Sequence, residues 1–465
     1  MTPSTQMHSE FDPSLFEKQR TFFFKGETLD TKFRKRQLHK LRSAIKAHET
    51  LILQALHSDL GKSSFEAFAT EIGIVYDEID FHLSKLEQWS SRKKVPTRQD
   101  IHFWSKAWTQ AQPYGVCLII SPWNYPFQLS ILPLIGAISA GNTAVIKPSE
   151  LSIHTSLLLQ KIINQNFDNQ YIEVVLGDVK TAEFLLNWKW DKIFFTGSTR
   201  VGKLIMKKAA ENLIPISLEL GGKSPVWVSR YAKIDLAAKR IVWGKLLNAG
   251  QTCIAPDYVL VDELVKEEFI ERLKYWIAQF YGDQPENSTD YPKIISQQHF
   301  ERLKMLLTGS KVVSGGNGLK ENRYFEPTIL VPQNLEANCM QEEIFGPILP
   351  IIAYSNWNDA LETIRKYDKP LAFYFFSENQ SEQKEAAASI ASGSMAINEV
   401  IMQVAHPKLP FGGIGSSGFG SYHGHYSFLA FSHLKPILKK TTLLDLPLRY
   451  PPYKEKLKWL KWLWK

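Results

Sequence analysis

Asp191-Lys-Ile-Phe-Phe-Thr-Gly-Ser-Thr-Arg-Val-Gly-Lys203 is the stretch whose reading decides the fold. Asp191 to Phe195 reads as a short strand, Thr196-Gly-Ser198 as a tight turn, and Thr199 to about Ala210 as a helix. Gly197 to Lys203 matches most of the phosphate-loop pattern G-x-x-x-x-G-K-[S/T]. Leu204 stands where the magnesium-holding hydroxyl belongs, which argues against ATP hydrolysis. A helix that starts just after a strand still suits a dinucleotide, because free N–H groups and the positive end of the helix dipole can meet a pyrophosphate. Taken alone, the stretch reads equally well as a plain strand-to-helix turn.

Outward from it, β-branched runs at 116–120, 143–147, 172–176 and 192–195 alternate with segments long enough for helices. That alternation predicts βαβ units in a parallel, doubly wound sheet. A second αβ series starts near residue 225 with Pro-Val-Trp-Val and continues to about 410. Upstream, 31–60 predicts one long amphipathic helix carrying Phe33, Leu38, Leu41, Ile45, Leu53 and Leu56, stopped by Gly61. Residues 65–90 predict a second helix ending near Trp89.

Two other segments bear on nucleotide binding. Lys147-Pro-Ser-Glu150 ends the run Thr143-Ala-Val-Ile146, and a Lys and a Glu at that edge of an open α/β sheet suit ribose hydroxyls, or simply a solvated loop. Gly413-Ile-Gly-Ser-Ser-Gly418 matches G-x-G-x-x-G, but no strand leads in and no helix follows, so it reads as a glycine-rich loop.

Composition excludes several classes. The chain has 465 residues, 44% hydrophobic and 22% charged, as expected of a globular protein with two or three domains. Residues 107–146 carry no charge, yet Pro113, Pro122, Pro126 and Pro133 break the run, so buried core is expected rather than a membrane span. The first ten residues lack the basic and apolar regions of a secretory leader. The three cysteines, Cys117, Cys253 and Cys339, form no C-x-x-C pair, which argues for a reducing, cytoplasmic setting without structural zinc or disulfides. The net charge is +8, of which residues 454–465, KEKLKWLKWLWK, contribute +4, so no nucleic-acid groove is expected. On a helical wheel Lys454, Lys458, Lys461 and Lys465 oppose Trp459, Leu460 and Leu463. That pattern suits peripheral contact with a membrane surface, docking on the protein itself, or a frayed end.

Three residues carry the chemistry. Cys253 lies in Gly250-Gln-Thr-Cys253, a small polar loop where a thiol can be reached, whereas Cys117 sits in a β-type apolar run. A thiolate is the attacking form of cysteine. Asn124, in Ser121-Pro-Trp-Asn-Tyr-Pro126, can donate its amide to a developing oxyanion or merely shape a turn. Glu219, between Leu218 and Leu220, is set in apolar surroundings that raise a carboxyl pKa, as a general base requires.

With Phe195-Thr-Gly-Ser-Thr-Arg-Val-Gly202, Leu218-Glu-Leu-Gly-Gly-Lys223, Gly250-Gln-Thr-Cys-Ile-Ala-Pro256, Glu342-Glu-Ile-Phe-Gly-Pro347 and Pro410-Phe-Gly-Gly-Ile-Gly-Ser-Ser-Gly418, these segments span most of the chain. Together they resemble the aldehyde dehydrogenase superfamily, in detail its class 3, the fatty or aromatic aldehyde branch. The resemblance implies NAD, with NADP possible, and oxidation of an aldehyde to an acid through a Cys253 thiohemiacetal and thioester. Glu219 favours hydrolysis over transfer of the acyl group to coenzyme A or phosphate. A non-catalytic protein on the same fold is the alternative of another class.

As cofactor-binding residues the resemblance implies Ser121, Trp123, Lys147, Glu150, Gly177, Thr196, Gly197, Ser198, Thr199, Arg200, Val201 and Gly202. It adds Glu343, chosen over its neighbour Glu342 as the holder of the nicotinamide ribose, and Phe345. No metal is expected. The implied α/β organisation is a dinucleotide-binding domain (1–92 and 113–219) and a catalytic αβ domain (220–410). An oligomerisation arm (93–112 and 411–440) serving a homodimer and a basic tail (441–465) complete it.

Overall fold

A computed structural model describes residues 12–97, 102 and 104–464. The ten residues read for a leader, Lys465 of the tail, and 98–101 and 103 of the expected arm lie outside them. The chain has the α/β architecture expected, built on two sheets.

The first sheet runs in the order Gly418–Phe419, Ile216–Glu219, Lys192–Thr196, Val116–Ile120, Thr143–Lys147, Ile172–Val174. Its last five strands are parallel and the first is antiparallel to its neighbour. Every residue of Val116–Ile120, Thr143–Lys147 and Lys192–Thr196 is buried. Strands of a parallel sheet are covered on both faces, which is why they read as unbroken apolar runs and not as alternation. The charge-free stretch 107–146 supplies Val116–Ile120, all of Thr143–Lys147 but its last residue, and the wholly buried helix Gln128–Ala140. Among the described residues no helix is long and apolar enough to cross a membrane.

Chain order reverses at Val116–Ile120, which has Thr143–Lys147 on one side and Lys192–Thr196 on the other. Such a switch point opens a crevice beyond the C-terminal strand ends, because the two following connections leave to opposite faces. Ser121, Trp123 and Asn124 leave one strand end at that crevice, and Gly197 and Ser198 leave the other.

The second sheet has the order Ser310–Ser314, Thr328–Pro332, Ile348–Tyr354, Tyr258–Asp262, Pro225–Val228, Ala372–Phe376, Ser394–Ile397. Only Ser310–Ser314 pairs antiparallel. Cys253 lies in the loop between helix Ile234–Leu246 and strand Tyr258–Asp262. A third, three-stranded antiparallel sheet joins Lys93–Val95, Ser105–Pro113 and Ser432–Lys440.

Three expectations differ from what is observed. The helix expected over 31–60 is two helices, Thr31–Ala47 and Glu49–Leu60, broken at His48, whose ring nitrogen lies 2.8 Å from the Ala44 carbonyl and satisfies it. The helix expected over 65–90 contains a π-turn at Phe68–Ile72, which aims Glu71 into the core. The segment 411–440, expected to act as one arm, contributes strands to two different sheets. Gly418–Phe419 pairs with Leu218 and Glu219, and only Ser432–Lys440 joins the third sheet. The glycine loop can approach the nucleotide sheet because a Cβ at Gly418 would lie 2.3 Å from the Leu218 carbonyl oxygen.

Candidate active site

Cys253 is presented by an unusual turn. Helix Ile234–Leu246 ends, and Asn248, Ala249 and Gly250 then adopt φ of 52°, 50° and 75°. Left-handed conformation costs a non-glycine residue roughly 1–2 kcal/mol, so the surroundings must hold this turn. Its effect is to swing Gln251-Thr-Cys253 over the crevice of the nucleotide sheet. Cys253 is half-buried, while Cys117 and Cys339 are fully buried. Burial, then the nearby carboxyls of Glu343 and Glu219, push the Cys253 thiol above the usual cysteine range. Cys339 has a basic neighbour that its local sequence does not show: Lys223 donates to its carbonyl at 2.8 Å.

Two cavities meet at Cys253. One, of about 710 Å³, lies over the switch point and is lined by Trp123, Asn124, Gly197, Ser198, Glu343 and Phe345 among others. The other, of about 610 Å³, is almost wholly apolar, with Ile74, Leu129, Ile254, Ile401, Val404 and Phe411 on its wall. Leu129, Thr196, Glu219, Leu220 and Cys253 line both.

Glu219, the last residue of strand Ile216–Glu219, is 2% exposed, and neither of its carboxyl oxygens has a hydrogen-bond partner. Burial alone raises its pKa well above the carboxyl range. A buried carboxyl with no partner is costly, which marks it as held for something other than stability. Asn124 is buried, and its amide donates one N–H to the Gln251 carbonyl at 3.0 Å. The loop that carries it is fixed from beneath by a buried ion pair. Lys62 and Glu71 meet at 2.5 Å, Lys62 donates to the Asn124 carbonyl at 3.2 Å, and Glu71 accepts the N–H groups of Phe127 and Gln128.

The adjacent glutamates point in different directions. Glu342 is exposed and paired with Arg302 at 2.8 Å, whereas Glu343 lines the larger cavity with its pKa raised to about 8 by burial. Lys223 anchors this segment, reaching Asp257 at 2.5 Å and the Glu342 carbonyl at 2.9 Å, while Asp257 also accepts the Ile344 N–H. Gly221 leaves room for the Glu343 carboxyl, since a Cβ would fall 2.1 Å from one of its oxygens and push that side chain aside.

On the nucleotide side, Ser198 caps helix Thr199–Ala210, its hydroxyl accepting the Val201 N–H, and Thr199 donates to the Ser416 carbonyl. Gly202 packs where a Cβ would strike the Leu220 side chain, and Arg200 points to solvent. Trp123 stands edge-on to Phe345, with ring centroids 5.3 Å apart. Ser121 is buried against the Ser130 hydroxyl at 2.6 Å. Lys147 and Glu150 are not separate prongs but an ion pair at 2.8 Å. Gly177, at φ +149°, precedes helix Val179–Leu186 beside Thr181. Lys147, Glu150 and Gly177 thus lie along the C-terminal edge of the neighbouring strands, away from Cys253.

An N-terminal helix turn, glycines at 197 and 221 and a carboxyl at 343 suit a dinucleotide lying over the switch point. Sequence reading missed His299 and Arg302, which close the larger cavity, and Lys62, Glu66 and Glu71, which lie beneath it. No local motif marks them. Among the described residues no His, Cys, Asp and Glu cluster could hold a metal.

Residues 17–437 match the model of the Aldehyde dehydrogenase family. The chain is 46% identical over 448 residues to 4,4'-diaponeurosporen-aldehyde dehydrogenase of Staphylococcus aureus (strain NCTC 8325 / PS 47), covering 96% of this chain and 97% of that one. It is 42% identical to the dimeric NADP-preferring aldehyde dehydrogenase of Canis lupus familiaris, covering 94% and 96%. A solved structure of Staphylococcus aureus AldH in a substrate-bound state superposes with a TM-score of 0.96 at 45% identity, covering 98% of this chain and 100% of that one.

Proposed function

Because this chain belongs to the aldehyde dehydrogenase family, oxidoreductases that use NAD(P), we propose that it oxidises hydrophobic aldehydes, aliphatic of medium or long chain or aromatic, to free acids with Cys253 as nucleophile. The observation that carries this reading is the meeting of an apolar cavity and a glycine-lined crevice at one half-buried thiol. Cys253 gives its proton to solvent and adds through sulfur to the aldehyde carbon, and the second amide N–H of Asn124 donates to the oxyanion. Bound NAD(P)⁺ supplies the two-electron acceptor that turns the adduct into a thioester. Glu219 then takes a proton from water as it attacks the thioester, releasing the acid and restoring the thiol. Glu343 and the turn 196–202 hold the nicotinamide ribose and the pyrophosphate.

Several finer points belong to the same proposal. Glu150 beside a ribose would repel a 2′-phosphate, so NAD is the preferred cofactor with NADP accepted. Among the described residues strand Ser432–Lys440 is paired on one side only, and it offers its other edge to a second copy, giving a homodimer. The enzyme works in the cytoplasm. The test is a panel of aliphatic and aromatic aldehydes of increasing length with each cofactor, followed by absorbance of the reduced nicotinamide. We expect kcat/KM to rise about three- to fourfold per added methylene while the cavity fills, as each buried CH₂ is worth about 0.8 kcal/mol. A preference for short polar aldehydes would contradict it.

A second reading concerns the tail, peripheral contact of 454–465 with an anionic bilayer surface. Its support is the exposure of Trp459 and Trp462, 64% and 73%, on helix Lys456–Leu463, and of Trp464, 67%, just after it. Lys456, the one lysine on the apolar side, donates to the Pro447 and Tyr450 carbonyls at 2.8 Å each, and Glu455 is paired with Lys458 at 2.6 Å. Lysines opposed to exposed indoles suit an interface where apolar rings insert and ammonium groups stay with phosphate headgroups. The full chain should co-sediment with phosphatidylserine vesicles and not with neutral ones, and truncation before Lys454 should abolish this. Equal sedimentation of both forms ends the idea.

A further inference from the structure

Three buried ionisable groups under the site are not used in the mechanism above: Lys62, Glu66 and Glu71. Lys62 and Glu71 are each other's partners and support the Asn124 loop. Glu66 is different, since it faces the other loop. Its Oε1 accepts the N–H of Asn248 at 2.9 Å, across 182 residues of sequence.

We propose that Glu66 is a positioning residue for the nucleophile: its carboxyl oxygen holds the left-handed turn Asn248–Gly250 that aims Cys253 at the crevice. The turn contains two non-glycine residues at positive φ, which revert to ordinary conformations unless something outside the turn fixes them. Glu66 fixes its first N–H. The Asn248 amide passes the restraint onward, donating to the Asn124 carbonyl at 2.8 Å and to the Gln251 carbonyl at 3.1 Å. Gln251 completes the clamp, donating to the Asn248 and Lys293 carbonyls at 3.0 Å and accepting the Ile295 N–H at 2.9 Å. Because Asn124 also donates to the Gln251 carbonyl, the loops that carry the oxyanion donor and the thiol are tied into one unit, with Glu66 at its base. Asn248 and Gln251 are fully buried, so water does not substitute for a lost bond.

The role needs an acceptor oxygen at the right reach, and it does not need a charge. Burial pushes the Glu66 carboxyl up to about 7, opposed by Lys62 and the Asn248 N–H and reinforced by Glu71 and Asp290. Either protonation state leaves an oxygen for the Asn248 N–H, and so does a glutamine.

This inference rests on Cys253 being the nucleophile, and two variants test it. Glu66→Gln keeps both reach and acceptor. Glu66→Asp keeps the charge but withdraws the oxygen by one methylene. The readouts are the rate at which iodoacetamide alkylates Cys253, identified by the mass of its peptide, and kcat, KM and the Kd for NAD. We expect Glu66→Gln to stay within about threefold of the parent, and Glu66→Asp to lose about tenfold or more in both alkylation rate and kcat, with Kd for NAD unchanged. The idea is overturned if both variants match the parent, if Glu66→Gln is the more impaired, or if NAD binding falls in step with kcat. Alkylation of Cys253 that leaves turnover intact would instead refute the nucleophile assignment, so the two failures are distinguishable.

Discussion

Cys253→Ala is expected to lower kcat/KM for every aldehyde by on the order of 10⁴-fold or more and to leave the Kd for NAD within about twofold. The size follows from chemistry. Without sulfur at residue 253 no covalent adduct forms, and a free aldehyde offers no tetrahedral carbon from which two electrons can leave. Asn124 and Glu219 remain but have nothing to act on, so their contributions vanish with the nucleophile instead of persisting as a residual rate. The cofactor side is spared because the helix N-terminus at Thr199, the glycines at 197 and 221 and Glu343 do not depend on the Cys253 side chain. Cys117→Ala and Cys339→Ala serve as controls, since both residues are fully buried in the hydrophobic core, and each should retain full kcat in whatever fraction folds. Reduced-nicotinamide absorbance reads turnover, and cofactor titration reads binding. Substantial activity in Cys253→Ala would remove the thiol from the mechanism.

Glu219→Gln should separate the two halves of the reaction. Glutamine has the size of glutamate, and both oxygens of Glu219 lack partners, so little packing is disturbed. Loss of a general base costs typically 10²–10⁴-fold in the step it serves. If thioester hydrolysis is that step, the variant should release a burst of about one reduced cofactor per active thiol and then turn over slowly. The pH dependence has a definite sign. Burial raises the Glu219 pKa, so at low pH the group is a neutral acid that cannot accept a proton, and hydrolysis should accelerate as pH rises through that value. The variant should lack this rising limb. A Glu219→Gln enzyme with no burst and an unchanged pH profile would assign the base to another residue.

The fold was legible where structure is local. The run Asp191–Phe195 and the turn after it read as strand, turn and helix because alternation, glycine and helical spacing act over a few residues, and helix Thr199–Ala210 has the bounds expected. Gly413–Gly418 could be set aside on flanking sequence, and it is a loop whose last glycine pairs with strand Ile216–Glu219. The break at His48 was not legible. Helical spacing continues through it, and a single side chain that bonds a carbonyl one turn earlier leaves no mark in the periodicity. The pairing of Gly418–Phe419 with Leu218 and Glu219 was not legible for a related reason, since what a glycine loop packs against depends on a strand about 200 residues earlier in the chain.

Sequence by itself determined the kind of fold, the family and the thiol that stands apart from its two buried counterparts. These follow from patterns that need no partner: apolar runs, helix starts, and a cysteine among small polar residues. Tertiary structure decided which of two adjacent glutamates faces the crevice, that Lys147 and Glu150 are joined to each other, and that Glu66 bonds the turn before Cys253. Glu342 meets Arg302 across 40 residues and Glu66 meets Asn248 across 182, while Lys147 and Glu150, only three residues apart, are joined because Lys147 is buried beside that carboxylate. Such contacts are set by packing and burial, which no local pattern encodes.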